Sequence, residues 1–90
     1  MESIHVVYGS NWSGKSARAF SLAVERKNAL VHEIGSHQDL KLIAGSRYSH
    51  FIAILNAGDE SHARTRMERL ACKANIELCP MTFEAAPLHI

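Results

Sequence analysis

Ninety residues make one small domain, which buries little more than about 60% of the surface its unfolded chain exposes and so has room for a single modest core. A formal net charge of +1 gives no overall pull toward nucleic acid or an anionic membrane, so a polyanionic partner has to be held by a local patch. No apolar run approaches the roughly 20 residues of a membrane span and no basic-then-apolar leader opens the chain, so a cytoplasmic protein is expected, with Cys72 and Cys79 as buried thiols outside any metal-ligand spacing.

Taken in order, Ile4 to Tyr8 reads as a buried strand that runs into Gly9-Ser10-Asn11-Trp12-Ser13-Gly14-Lys15-Ser16. Lys15 to Asn28 then reads as a helix, with Ala17, Phe20, Ala23 and Val24 on its core face and Arg18, Ser21 and Glu25 opposite. Ala29 to Ile34 is a short strand closed by Gly35, and Ser36 with Asp39 three residues on predicts a capping-box start for a short helix through Ala44, stopped at Gly45-Ser46. Phe51 to Leu55 is apolar throughout, the pattern of a central strand covered on both faces. Gly58 to Ser61 turns the chain into a third helix, in which Ala63, Met67, Leu70, Ala71 and Ala74 repeat at helical spacing and Asn75 suits the C-terminal end. Ile76 to Cys79 reads as a short strand stopped by Pro80, with Met81 to Glu84 extending it after a break and an irregular tail from Ala85. Strands and helices alternating at this spacing predict a single α/β domain over 1–90. Its form is a three-layer α/β/α sandwich with a mostly parallel four-stranded sheet, helices on both faces and right-handed crossovers.

The Gly9–Ser16 stretch carries the chemistry. Its pattern, G-x-x-x-x-G-K-S between a strand and a helix, is that of a phosphate-binding loop. Gly9 and Gly14 allow positive φ, so that successive N–H groups turn inward and make a concave anion site. The following helix adds unpaired N–H groups and the positive end of its dipole. Lys15 then reaches the β and γ phosphates, and the Ser16 hydroxyl ligates Mg²⁺. Trp12 either stacks on a base or lies against the first helix.

On those residues the chain resembles the P-loop NTPases, and the layout from Ser3 to Cys79 is similar to the minimal core of that superfamily. The resemblance implies binding of ATP or GTP with Mg²⁺. It places Gly9, Ser10, Asn11, Trp12, Ser13, Gly14, Lys15 and Ser16 in the nucleotide-binding loop, with the amides of Asn11 to Ser16 around the phosphates. It further implies Mg²⁺-dependent hydrolysis with Lys15 as a catalytic residue. Where family members end the Walker B strand in Asp, Phe51 to Leu55 runs into Asn56, a neutral partner for the metal shell. Asp59 and Glu60 follow; they either supply the missing carboxylate, if the turn at Ala57-Gly58 curls toward the loop, or cap the third helix. The usual fifth strand and base-binding segment are lacking, which implies an NTPase that works as a homo-oligomer or within a larger complex.

A second constellation lies on the third helix, where His62, Arg66, Arg69 and Lys73 fall at i, i+4, i+7 and i+11 and form a basic stripe. It reads as a contact for RNA or DNA phosphates, as a source of an arginine for a neighbouring subunit's γ-phosphate, or as a solvated helix face. From Ser16 to Pro80 the order of elements, with Gly35-Ser36-His37-Gln38 opening the second helix, also looks like the kink-turn-binding ribosomal-protein family. That resemblance implies RNA binding by a non-enzymatic module, with His37-Gln38 where the family carries Asn-Glu. The remaining alternative is a degenerate P-loop fold that serves as a protein-binding module.

Overall fold

The computed structural model describes residues 2–26 and 29–87. The chain runs β1 (Ser3–Gly9), α1 (Lys15–Glu25), β2 (Ala29–Glu33), α2 (His37–Ala44), β3 (His50–Asn56), α3 (Glu60–Ala74) and β4 (Met81–Ala85). The four strands form one sheet in the order β2-β3-β1-β4, and every pairing is parallel. β1 and β3 are therefore the two central strands, and their residues Val6, Val7 and Phe51 to Leu55 are buried as strands covered on both faces must be.

Side-chain alternation along the strands divides the core in two. Ile4 and Val6 of β1 and Phe51, Ala53 and Leu55 of β3 pack with Leu40 and Ile43 of α2 and with Ala63, Met67 and Ala71 of α3. Val7, Ile52 and Ile54 point the other way and meet Ala19 and Leu22 of α1. α1 thus covers one face and α2 with α3 the other, giving the α/β/α layering.

Local signals account for most element ends. Ser36 and Asp39 form the reciprocal capping box at the start of α2. Asp59 caps α3 by accepting a 2.7 Å hydrogen bond from the His62 amide, and Asn75 ends that helix in the left-handed region at φ 57°.

Four expectations are corrected. On α1, Ala19 and Leu22 are buried and Ala23 packs half-buried against the core as expected, while Phe20 and Val24 stand 60% and 88% exposed and Ala17 is also exposed, so the helix is rotated from the face predicted. α1 ends at Glu25 among the described residues, and its expected end at Asn28 lies outside them. Ile76 to Cys79 is not a strand: Ile76, Leu78 and Cys79 pack half-buried against the core and pairing with β1 begins only after Pro80, whose carbonyl accepts the Ile4 amide at 3.2 Å. Ala85 belongs to β4, and the Ala86 amide still donates to Tyr8, so the irregular part is shorter than expected, with 88–90 outside the described residues. Finally, Cys72 is an exposed thiol on α3 where a buried one was expected; Cys79 is half-buried, and burial raises its pKa. No helix among the described residues is long and apolar enough to cross a membrane.

Candidate functional site

The strand order fixes where a ligand has most backbone to meet. From the carboxyl end of β1 the chain passes to α1 on one face of the sheet, and from that of β3 to α3 on the other, so the connections of these two neighbours diverge to opposite faces. In an open parallel sheet this divergence opens a crevice beyond the carboxyl ends, the usual place for a bound ligand. Gly9 and Asn56 are register partners at that point, and the Ala57 amide donates to the Gly9 carbonyl at 3.2 Å.

The Gly9–Ser16 loop rises from this edge. Its two glycines serve different needs. Gly14 sits in the left-handed region at φ 84°, ψ 19° as the N-cap of α1, whereas Gly9, the last residue of β1, is not among the described residues with positive φ. What Gly9 supplies is space: a Cβ there would lie 2.5 Å from Ser13 Oγ and 3.0 Å from the Ala86 Cβ. The second left-handed residue is Trp12 at φ 65°, a conformation costly for a side chain of that size. Its indole is 86% exposed, so it lies open to solvent above the loop and does not plug it.

Two donors converge on one carbonyl. The Ser13 hydroxyl, buried to 7% exposure, donates to the Ser10 carbonyl at 2.7 Å, and the Lys15 ammonium donates to the same oxygen, also at 2.7 Å. Lys15 thus lies folded across the loop, its charge held beside the first turn of α1. The amides of Gly14, Lys15, Ser16 and Ala17 have no protein acceptor among the described residues. Free amides at the positive end of a helix beside an ammonium are a chemical setting for an anion. Ser13 had no place in the sequence reading beyond an unspecified loop position, and only the turn at Trp12 shows why a small hydroxyl is needed there.

The remaining candidates begin at the same edge, and those on α3 run away from it along the helix. Ser16 is exposed in the first turn of α1, and Asn56 is exposed at the end of β3. Asp59 is engaged as the α3 cap, and Glu60 lies 3.6 Å from Arg64 one turn on; no hydrogen bond or ion pair joins either to the loop among the described residues. At the start of α2, Asp39 accepts from the Gly35 and Ser36 amides at 2.8 and 3.0 Å and from His32 at 3.2 Å, and these bonds, that from Gly35 foremost, hold its carboxyl below the usual range. His62, Arg66 and Arg69 line one groove on α3, described below, while Lys73 lies further along the same helix.

A polar cluster that sequence reasoning missed flanks the loop's first strand. Glu84 of β4 pairs with Arg18 of α1 and accepts from His5 of β1 at 3.0 Å, and His5 also bonds Thr82 at 2.6 Å. The Arg18 guanidinium, then the His5 contact, holds the Glu84 carboxyl below its ordinary range. Nothing in local spacing signals this cluster, because His5 and Glu84 meet only through the β1–β4 pairing. Among the described residues no group of three or more His, Cys, Asp and Glu side chains is placed to hold a metal ion. Compared with protein-family models, curated proteins and solved structures, the chain matches none.

Proposed function

We propose that this protein binds a nucleoside triphosphate, ATP or GTP, by its phosphates in the Gly9–Ser16 loop. The observation that carries the reading is the left-handed Gly14 cap, which leaves the first amides of α1 unpaired beside the Lys15 ammonium. In this reading the triphosphate takes those amides and draws the Lys15 ammonium from the Ser10 carbonyl onto its own oxygens. The adjacency of β1 and β3 supports it further, since the strand that carries Asn56 runs beside the loop.

Mg²⁺ fits the donors present, although they are all neutral. The Ser16 hydroxyl and the Asn56 amide oxygen are the hard oxygen ligands the ion prefers, and the phosphates supply the charge. Bound there, Mg²⁺ would offset negative charge on the triphosphate. With no carboxylate in that set, the ion enters with the nucleotide. Hydrolysis, with Lys15 stabilising the transferred phosphoryl group, is slow in the isolated chain because Asp59 is committed to its helix cap and Glu60 faces Arg64.

Calorimetric titration with ATP and with GTP, each with Mg²⁺, tests the reading. Binding of one or both is expected, with Lys15→Ala weakening it by about 1.5–3 kcal/mol, the scale of a charged hydrogen bond, or roughly ten- to a hundredfold. Absence of heat with both nucleotides overturns it.

A further inference from the structure

The basic face of α3 takes no part in the loop. Asp59, Ser61, His62, Thr65, Arg66 and Arg69 line a groove of about 440 Å³, and Lys73 continues the row by another helical turn. From His62 to Lys73 the row extends about 16 Å at the helical rise. Glu60, Arg64 and Glu68 form a separate row, in which Arg64 pairs with Glu60 and lies 4.5 Å over the Phe83 ring. The stripe is different: among the described residues, none of Arg66, Arg69 and Lys73 makes an ion pair. Among the described residues no carboxylate pairs with these cations, and the one carboxylate in the lining, that of Asp59, accepts from the His62 amide.

The lining also narrows the partner. None of its residues is apolar, whereas a protein partner would be held by buried aromatic or aliphatic anchors. Its one aromatic ring is the His62 imidazole, whereas single strands stack successive bases on several rings. What remains is charge and hydroxyl groups set along a straight helix, the equipment for backbone phosphates and not for base edges. A duplex presents a phosphate about every 3.4 Å of axis on each strand, so the row can meet several.

We propose that this face of α3 holds the phosphate backbone of duplex nucleic acid without reading its sequence. The small net charge of the chain makes the contact a weak one confined to this stripe, with Arg66, Arg69 and Lys73 as its cations and Ser61 and Thr65 as neutral donors.

Anisotropy of short labelled DNA and RNA duplexes, titrated with the full chain, tests this. With three cations the logarithmic salt slope is expected near about −2.7, so affinity falls roughly 40-fold between about 50 and 200 mM salt. Arg66→Ala with Arg69→Ala should cut the slope to about −0.9, while Arg66→Lys with Arg69→Lys should keep it. A stronger response to the DNA or to the RNA duplex identifies the natural form, and both support the proposal. Lys15→Ala should bind duplex as the parent does, which separates this inference from the nucleotide reading. No binding at low salt, an unchanged slope in the double alanine variant, or equal displacement by polyglutamate at matched charge overturns it.

Discussion

Gly9 and Gly14 look alike in the loop motif, yet substitution should reveal two different constraints. Gly9→Ala places a methyl 2.5 Å from Ser13 Oγ, which is buried and hydrogen-bonded and has little freedom to retreat. Overpacking of this kind costs about 1–3 kcal/mol, and urea unfolding should show that cost shrink in a Ser13→Gly background, where the nearest obstacle is gone. Gly14→Ala instead strains φ at 84° by about 1–2 kcal/mol, and no change at Ser13 relieves it. Asn56 tests the metal shell: Asn56→Asp adds a carboxylate at an exposed site beside Gly9. It should tighten Mg²⁺–nucleotide binding while leaving metal-free nucleotide binding unimproved, as calorimetry with and without Mg²⁺ would show. The candidate loop was legible in the sequence because its meaning lies in spacing over eight consecutive residues. The separate duties of its glycines and the role of Ser13 were not legible, since they depend on the left-handed turn at Trp12 and on the approach of Ala86 from the far end of the chain.

Among the elements, α1 was read with its wrong face inward, and the reason is physical. Ala17, Phe20 and Val24 make one apolar row and Ala19, Leu22 and Ala23 another, so periodicity alone allows either rotation. The loop decides: with Gly14 as cap and Ser13 buried beneath it, the helix leaves with Ala19 and Leu22 over Val7, Ile52 and Ile54. Leu22→Ala should therefore cost about 2–5 kcal/mol in urea unfolding, whereas Phe20→Ser and Val24→Ser should each stay within about 0.5 kcal/mol of the parent. α2 and α3 were read correctly because their caps are spelled out locally, by Ser36 with Asp39 and by Asp59 with Asn75. Met81 to Glu84 was legible as strand, whereas Ile76 to Cys79 is as apolar as a strand but approaches the core from outside the ladder. The polar side of β4 carries a pH signature. Glu84 has its pKa lowered in the fold, so the stability it adds is present above the unfolded value near about 4.3 and is lost as pH falls through the folded one. Glu84→Gln should remove this part, and its melting temperature should fall less than the parent's between neutral pH and the acid side of that range.

For the molecule as a whole, the loop and the sheet are one mechanical unit. The radius of gyration is 12.1 Å, close to the roughly 12 Å of a compact chain of this length, and the loop springs from one of the two strands at the centre of that body. Its first residue is tied to the end of β3 through Ala57, and its following helix covers β1, β2 and β3. A conformation in which the Gly14 cap and its free amides survive while the sheet is lost is therefore not available, and the unfolded chain has no anion cradle. By linkage, a ligand that binds only the folded form adds RT ln(1 + [L]/Kd), about 2.7 kcal/mol at a hundredfold excess over Kd. For a domain of this size that corresponds to roughly 10–20 °C in melting temperature. Mg²⁺ with the preferred triphosphate should produce a shift of this order in a thermal unfolding scan. Lys15→Ala should lose most of it at the same ligand concentration, whereas Arg66→Ala with Arg69→Ala, on the outer face of α3, should keep it. If the triphosphate shifted the parent and the Lys15 variant equally, the ligand would be acting somewhere other than the loop, and the central position of β1 would have no bearing on what this protein binds.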